Sequence, residues 1–253
     1  MSLMKNYTKE RFSLTVRGME ICHDYYTSSA DGPVIVLLHE LPGLTPKTME
    51  LARALTLSGF RVVLPHYLGP LGKDQKIANT LRVCISKEIR CLAEQGGSPF
   101  VDWLRAFCQA IKTQQQVSGI GVIGMCLTGN FAISLIASPA VLGAVTAQPS
   151  LPFLKQSSLA LSPQEIEDSK AALDQKGYML GYRYTDDKIC QEAKFEAIEQ
   201  HFTSDQICLN RIDGNSHSTL TDRVFAGDQI RNEAVKEVID YFKQRLPENI
   251  QNS

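Results

Sequence analysis

Short apolar runs that alternate with helical patterns constrain the fold of this chain more than any other feature. Val34–Leu38, Arg61–Leu64 and Ile120–Gly124 are too short for typical helices and rich in β-branched or apolar residues, as expected of strands buried on both faces. Between the first two, Pro46–Ser58 carries apolar residues at helical spacing, and Gly59 ends that pattern. The sequence therefore predicts a βαβ unit in the first quarter of the chain.

The same alternation continues towards the C-terminus. We predict an entry hairpin and three further strands, at Phe12–Val16, Met19–Tyr25, Leu142–Ala147, Tyr178–Tyr184 and Gln206–Ile212. We predict helices within Lys73–Gln116, broken at Gly96–Pro99, and at Leu127–Ala137, Pro163–Gln175, Cys190–Phe202 and Val224–Arg245. Strands that alternate with helices imply an α/β fold, with a doubly wound, mostly parallel sheet flanked by helices. We expect residues 1–253 to form a single domain with flexible ends at 1–8 and 247–253.

The composition favours small-molecule chemistry. The 26 Lys and Arg residues nearly balance the 27 Asp and Glu residues, so the net charge of −1 offers no basic field to nucleic acid or an anionic membrane. No stretch approaches the roughly 18 apolar residues that cross a bilayer, and the start lacks a signal-peptide pattern. The seven cysteines show no C-x-x-C spacing. We therefore expect a cytoplasmic protein with reduced thiols, no metal site and no cofactor.

A strand-to-helix turn centred on Cys126 is the main candidate for chemistry. Cys126 lies two residues after Gly124 and three before Gly129, which is the form of a nucleophile elbow with small residues beside a strained backbone. Thr128 stands where a second glycine is usual, so we expect Gly129 to accept the crowding one position later. The start of the following helix favours a thiolate, and the Leu127 amide is placed to stabilise an oxyanion. The alternative is a buried structural cysteine.

A nucleophilic thiol needs a general base, and two histidines follow Cys126. His217 lies in the polar loop Asp213–Ser218 after a predicted strand, from which a side chain can reach the end of the sheet. His201 lies in a predicted amphipathic helix and is interpreted as a solvated helix residue. We therefore predict that His217 is the base.

An orienting carboxylate is expected between the nucleophile and the histidine, as in the chain order of α/β-hydrolases. Asp186 and Asp187 follow the predicted strand Tyr178–Tyr184, at the edge where open α/β sheets build their sites. We favour Asp187 because the apolar pair Ile189–Cys190 behind it can pack beneath the next helix. Asp186 remains the alternative, and the aspartate that is not the acid would be a helix cap.

A third feature follows the predicted strand Val34–Leu38. Glu40 comes directly after His39, and charged residues are rare at the end of a buried strand unless they are paired or functional. The backbone N–H of Leu41 is expected to complete the oxyanion hole. We therefore predict a functional role for Glu40, with an ordinary loop residue as the alternative.

Taken together, these residues resemble the dienelactone hydrolase family, whose members combine an α/β-hydrolase-like fold with a cysteine elbow, a later aspartate and histidine, and an early glutamate. The resemblance covers nearly the whole chain and is carried by Val34–Gly43, Gly121–Gly129, Gln148–Pro152, Gly181–Phe195 and Gly214–His217. It implies that Cys126 is the nucleophile, His217 the general base and acid, and Asp187 the orienting carboxylate. It also implies that Glu40 accepts the cysteine proton when substrate displaces it.

In that family, arginines bind the substrate carboxylate, and one of them lies a few residues after the histidine. Here Ser218–Asp222 occupy that place before Arg223 is reached, a departure that speaks against dienelactone itself as substrate. Arg90 and Arg183 are the candidates for binding an anionic group, with Arg82 as a third. Each is also compatible with a surface or structural role.

These features predict a hydrolase of small ester, lactone or thioester substrates that works through an acyl-cysteine, of the carboxymethylenebutenolidase type. A class I glutaminase would carry a glutamate two residues beyond the histidine, where this chain has Thr219. A catalytically weak binding or regulatory module is the remaining alternative, because a fold does not imply a function. The expected partner is a small ester or lactone, and the expected assembly is a monomer or a homodimer.

Overall fold

The apolar runs form the strands of one mostly parallel sheet in the computed structural model, which describes residues 4–69, 71–72, 98–153 and 155–247. The strands of this sheet are β1 (Tyr7–Val16), β2 (Met19–Ser28), β3 (Val34–Leu38), β4 (Arg61–His66), β5 (Ile120–Met125), β6 (Val141–Ala147), β7 (Met179–Tyr184) and β8 (Ile207–Ile212). Their spatial order is β1-β2-β4-β3-β5-β6-β7-β8. Strand β2 pairs antiparallel with both β1 and β4. The remaining neighbouring pairs, from β4 across to β8, are parallel. The predicted α/β class is confirmed.

Six helices in the described part of the chain flank this sheet. They are α1 (Pro46–Leu57), α2 (Pro99–Gln114), α3 (Gly129–Leu135), α4 (Pro163–Lys176), α5 (Glu192–Glu199) and α6 (Glu233–Arg245). Helices α1, α2 and α4 each begin at a proline that follows Thr45, Ser98 or Ser162. The hydroxyl of each capping residue accepts a hydrogen bond from a backbone N–H of the first turn. The sequence thus specifies where these helices begin.

Apolar side chains cover both faces of the central strands. Val36 of β3 and Val122 of β5 belong to one core cluster, which also contains Trp103 of α2. Their neighbours Ile35 and Ile123 belong to the cluster on the other face, which α1 and α6 complete. This two-sided burial holds the strands in place, so the loops at their C-terminal ends rise from a packed platform.

The start of the last helix differs from the prediction. Helix α6 begins at Glu233, whereas the pattern suggested Val224. The intervening residues form a small hairpin of β9 (Phe225–Ala226) and β10 (Gln229–Ile230), which turns at Gly227–Asp228. A Gly-Asp pair between two short apolar segments is a hairpin signal that the helical interpretation overlooked.

Other boundaries shift by smaller amounts. Cys126–Thr128 form a 3₁₀ turn, so the helix after Cys126 begins at Gly129. Tyr7 and Thr8, within the segment expected to be a flexible end, belong to β1 and pair with β2. The predicted helical region at residues 73–97 lies outside the described residues. None of the helices within the described ranges is long and apolar enough to span a bilayer.

Candidate active site

The turn at Cys126 has the backbone of a nucleophile elbow. Cys126 has a φ of 55°, a left-handed conformation that a side chain with a Cβ adopts at a cost of about 1–2 kcal/mol. A Cβ at Gly124 would lie 2.3 Å from the carbonyl oxygen of Thr128, so only glycine fits there. Cys126 is 5% exposed and directly follows the end of β5. The turn therefore holds the thiol at the C-terminal edge of the sheet.

Thr128, which replaces the usual second glycine, has a specific place in this turn. Its hydroxyl accepts a hydrogen bond from the Met125 N–H at 2.9 Å. The same oxygen lies 2.8 Å from the Met125 carbonyl and 3.2 Å from that of Leu38, the last residue of β3. The side chain thus ties the elbow to the neighbouring strand.

Gly129 takes the crowding that a second elbow glycine would relieve. A Cβ on Gly129 would lie 2.8 Å from Pro149 Cα and 3.1 Å from the Ala147 carbonyl oxygen. Nearby, the Ser150 N–H donates to the Cys126 carbonyl at 3.0 Å. The loop after β6 therefore packs tightly against the turn that carries the thiol.

His217 and Asp187 meet at this edge of the sheet. His217 follows β8 and Asp187 follows β7, and His217 Nδ1 lies 2.7 Å from Asp187 Oδ2. The other oxygen of Asp187, Oδ1, accepts hydrogen bonds from the backbone N–H groups of Ile189 at 2.8 Å and Cys190 at 3.1 Å. Two backbone donors fix the carboxylate, and the carboxylate fixes the ring.

The environment of His217 favours its protonated form. Burial lowers the pKa of the imidazolium, but the hydrogen bond to Asp187 and the proximity of the Cys126 side chain outweigh burial and raise the pKa to about 10. Nε2 is buried and has no well-aligned hydrogen-bond partner within the described residues. The second ring nitrogen is therefore available to exchange a proton with Cys126 or with a substrate.

The alternatives left open by the sequence lie elsewhere. Asp186 is exposed, and its backbone N–H donates to the Gly214 carbonyl at 2.9 Å. His201 is exposed and lies beyond the end of α5. Of the two candidate aspartates and two candidate histidines, the structure brings together Asp187 and His217.

Glu40 follows β3, and its carboxylate contacts the loops that follow β6 and β8. It is 5% exposed, and its oxygens accept hydrogen bonds from Gln148 Nε2 at 3.0 Å, Ser218 Oγ at 2.9 Å and Thr221 Oγ1 at 2.5 Å. No hydrogen bond joins Glu40 to Cys126 in the described part of the chain. Sequence reasoning missed Gln148, Ser218 and Thr221 as partners of this carboxylate.

Leu41 and Leu127, the predicted oxyanion residues, belong to adjacent strand ends. Leu38 of β3 is paired with Gly124 of β5 in parallel register, so the residues that follow the two strands emerge side by side. Leu127 is the residue directly after Cys126, at the start of the 3₁₀ turn. This placement suits two backbone donors that converge near the thiol.

Arg183 does not lie free in the site. Its side chain is 2% exposed, Nε donates to the Cys190 carbonyl at 3.0 Å, and the guanidinium also bonds the Thr185 carbonyl and pairs with Glu192. These protein acceptors use its donors, so the structure assigns it to holding the loop of Asp187 and argues against a substrate-binding role. Arg82 and Arg90 lie outside the described residues.

Comparisons with known proteins agree with this architecture. The dienelactone hydrolase of Anabaena variabilis superimposes with a TM-score of 0.61 at 16% identity, covering 96% of this chain and 100% of that one. A dienelactone hydrolase-like promiscuous phosphotriesterase from metagenomic libraries gives a TM-score of 0.62 at 16% identity, with coverage of 96% and 100%. An esterase of Pyrococcus furiosus gives 0.60 at 13% identity, with coverage of 95% and 92%. At these identities the likeness shows the fold.

The sequence itself places the chain in a family. No curated protein matches it. The profile of the dienelactone hydrolase family, however, matches residues 24–246, which include every described site residue discussed above. A match of this extent identifies an enzyme that hydrolyses ester bonds. The chain therefore belongs to the dienelactone hydrolase family.

Proposed function

We propose that this enzyme hydrolyses small esters or lactones through a covalent acyl-cysteine intermediate. Cys126 is the nucleophile, His217 is the general base and acid, and Asp187 orients and charges the histidine. The observation that carries the proposal is the 2.7 Å contact between His217 Nδ1 and Asp187, beside a thiol whose backbone has a φ of 55°. A structural cysteine needs neither a strained turn nor an oriented imidazolium beside it.

Transfer of the Cys126 thiol proton to His217 Nε2 gives a thiolate beside an imidazolium, the ring state that the raised pKa of His217 favours. The thiolate sulfur then attacks the carbonyl carbon of the substrate, and the backbone N–H groups of Leu127 and Leu41 stabilise the resulting oxyanion. When the tetrahedral intermediate collapses, the C–O bond to the leaving group breaks and His217 protonates the departing alkoxide. A thioester remains on Cys126.

Hydrolysis of the thioester returns the enzyme to its starting state. Neutral His217 takes a proton from water, and the hydroxide oxygen attacks the thioester carbon. The C–S bond breaks and the product leaves as a carboxylic acid, while the proton taken from water stays on His217 beside the released Cys126 thiolate, which restores the starting ion pair. For a lactone, the alcohol and the acid are parts of one opened product. The carboxylate of Glu40 accepts three hydrogen bonds, two of them from Ser218 and Thr221 on the loop that carries His217. The role of Glu40 is therefore to hold that loop.

The test is a rate comparison on a panel of p-nitrophenyl acetate and lactones, including dienelactone. We expect the wild type to hydrolyse at least one member of the panel. Cys126→Ser and His217→Ala should each lower the rate on the order of 10²–10⁴-fold. Mass spectrometry of a quenched reaction should show an acyl group on the peptide that contains Cys126. Wild-type turnover that survives in both variants would show that another residue is the nucleophile.

Cys190 requires a control, because it is a second buried cysteine beside the acid loop. Burial raises the pKa of the Cys190 thiol well above its ordinary range, so it should react slowly with electrophiles. We therefore expect Cys190→Ala to keep the acyl label on Cys126. Label found on the peptide of Cys190 in the wild type would contradict the assignment.

A further inference from the structure

A buried glutamine outside the proposed triad connects Glu40 to the loop of His217. Gln148 follows β6 directly, has no exposed surface and has a φ of 36°, a left-handed backbone that residues other than glycine seldom adopt. Its backbone N–H donates to the Tyr182 carbonyl of β7 at 2.6 Å. Strand-end geometry thus fixes both the position and the direction of its side chain.

The hydrogen bonds of the Gln148 amide determine which of its two terminal atoms is the oxygen and which is the nitrogen. The Thr219 backbone N–H, which can only donate, lies 3.2 Å from Gln148 Oε1, and the Thr219 hydroxyl lies 2.5 Å from the same oxygen. The amide nitrogen must therefore face Glu40 Oε2, which accepts from it at 3.0 Å. A carboxylate on one side and a backbone donor on the other leave one orientation.

The same loop contacts Glu40 on both sides of Thr219. The Ser218 hydroxyl donates to Glu40 Oε2 at 2.9 Å, and the Thr221 hydroxyl donates to Oε1. Ser218 is the residue directly after His217. The pair of Glu40 and Gln148 therefore grips the backbone and side chains of residues 218–221, immediately beside the imidazole ring.

No cation pairs with Glu40 within the described ranges, since the donors to its carboxylate are one amide and two hydroxyls. A buried carboxylate whose donors are neutral depends on each hydrogen bond more than one paired with arginine does. Removal of the amide would leave Glu40 Oε2 with one donor and the Thr219 N–H without an acceptor. The loop that carries His217 would then lose the contact with Gln148 that fixes its position relative to the sheet.

We propose that Gln148 is a positioning residue that holds His217 in register with Asp187 and Cys126, by clamping residues 218–221 against Glu40. The kinetic test of this inference rests on the proposed function, but the position of the His217 ring can also be tested without turnover. It does not require Gln148 to touch the substrate.

Gln148→Met tests the clamp, because methionine has a similar shape but no hydrogen-bond donor and only a weakly accepting sulfur. Gln156→Met is the matched control: Gln156 is also buried after β6, and its amide donates to the Ser150 carbonyl at 3.0 Å, away from Glu40 and the loop of His217. We expect Gln148→Met to lower kcat by at least about tenfold with a KM change within roughly threefold, as expected for loss of an interaction made in the transition state. Gln156→Met should show the smaller loss of kcat.

A second readout does not depend on turnover. NMR titration of the His217 ring, and the pH profile of iodoacetamide alkylation at Cys126, report the pairing of the ring with its neighbours even if no tested ester is hydrolysed. We expect Gln148→Met to lower the pKa of His217 from about 10 towards its ordinary value, because the ring leaves Asp187 and Cys126. Gln156→Met should leave it unchanged. An inactive wild type with this NMR contrast would refute the proposed function and retain the clamp.

Gln148→Glu covers the case in which the methionine variant fails to fold. A protonated carboxyl can accept from Thr219 and donate to Glu40 as the amide does, but an ionised one repels Glu40. The ratio of variant to wild-type rate should therefore be highest near pH 5 and fall as the pH rises to about 8. A constant ratio, or a His217 pKa that is the same in Gln148→Met and Gln156→Met, would overturn the proposal.

Discussion

The contact between Asp187 and His217 makes a prediction that separates two neighbouring carboxylates. In Asp187→Asn the amide oxygen can still accept from the N–H groups of Ile189 and Cys190, which turns the NH₂ group towards His217 Nδ1. Nδ1 must then accept, so the ring carries its proton on Nε2 and cannot take one from the thiol. We expect kcat/KM for an active ester to fall on the order of 10²–10⁴-fold.

The same substitution removes a charge-assisted hydrogen bond. Such a bond contributes about 1.5–3 kcal/mol, and one pKa unit corresponds to about 1.4 kcal/mol, so the pKa of His217 should fall from about 10 by at least one to two units. The assay is an NMR titration of the ring with ester hydrolysis measured in parallel. Asp186→Asn is the matched control, since Asp186 is exposed and the charge change is the same. Equal effects of the two substitutions, or a His217 pKa still near 10 in Asp187→Asn, would refute the reasoning.

The raised pKa also fixes the sign of a stability effect. Because the folded-state pKa of His217 lies above the unfolded value, its contribution to stability is present below about pH 6.5 and is lost as the pH rises through about 10. Asp187→Asn should therefore lower the free energy of unfolding more at pH 6 than at pH 10, as measured by urea denaturation. A larger loss at the higher pH would contradict this sign.

Three further substitutions test the frame of the site. Thr128→Val removes the hydroxyl that bonds the Met125 N–H, so we expect it to cost about 1–3 kcal/mol of unfolding free energy by urea denaturation, whereas Thr128→Ser should retain most of it. Gly129→Ala places a Cβ 2.8 Å from Pro149 Cα, and the forced shift should lower the Tm and cost roughly 1–3 kcal/mol; an unchanged Tm would show that the loop yields freely. Arg183→Met should destabilise the fold by about 1–3 kcal/mol, because the carbonyls of Cys190 and Thr185 lose their donor. The folded variant should keep the same KM for neutral and anionic esters, and a KM change confined to anionic esters would restore the substrate-binding role of Arg183.

The parts of the site that the sequence predicts are those encoded locally. The elbow at Cys126 is readable because glycines, an apolar strand and a helical segment lie within ten residues of one another. Strand-end loops placed Asp187 and His217 at one edge, because the carboxyl ends of parallel strands meet there. The preference for Asp187 over Asp186 rested on a local cue as well, the apolar pair that packs behind it.

The partners of Glu40 could not be predicted in this way. Gln148 lies 108 positions along the chain from Glu40, and Ser218 lies 178 positions away. Their contacts depend on how three strand ends are spaced and on the height of each loop, which no short pattern specifies. Polar residues in a loop after a strand have the same appearance whether they bind a substrate, a neighbouring loop or water.

Arg183 shows a different limit, because its position beside the loop of Asp187 was compatible with a substrate-binding role and with a structural one. Side chains alternate along a strand, and Tyr182 on β7 belongs to the core cluster of α1 and α6. Arg183 therefore points to the opposite face, where Glu192 of α5 meets it. Period-two counting from the buried tyrosine would have indicated this before the structure was known.

The backbone at Cys126 carries an evolutionary consequence. A left-handed φ of 55° strains any residue with a Cβ but not glycine, so Cys126→Gly would relieve about 1–2 kcal/mol of local backbone strain while abolishing the thiol. Selection that acted only on backbone strain would therefore favour loss of the proposed nucleophile. Under the proposed function, a lineage that keeps cysteine at this turn accepts backbone strain for the sake of chemistry, and this leaves less tolerance for destabilising changes elsewhere in the chain.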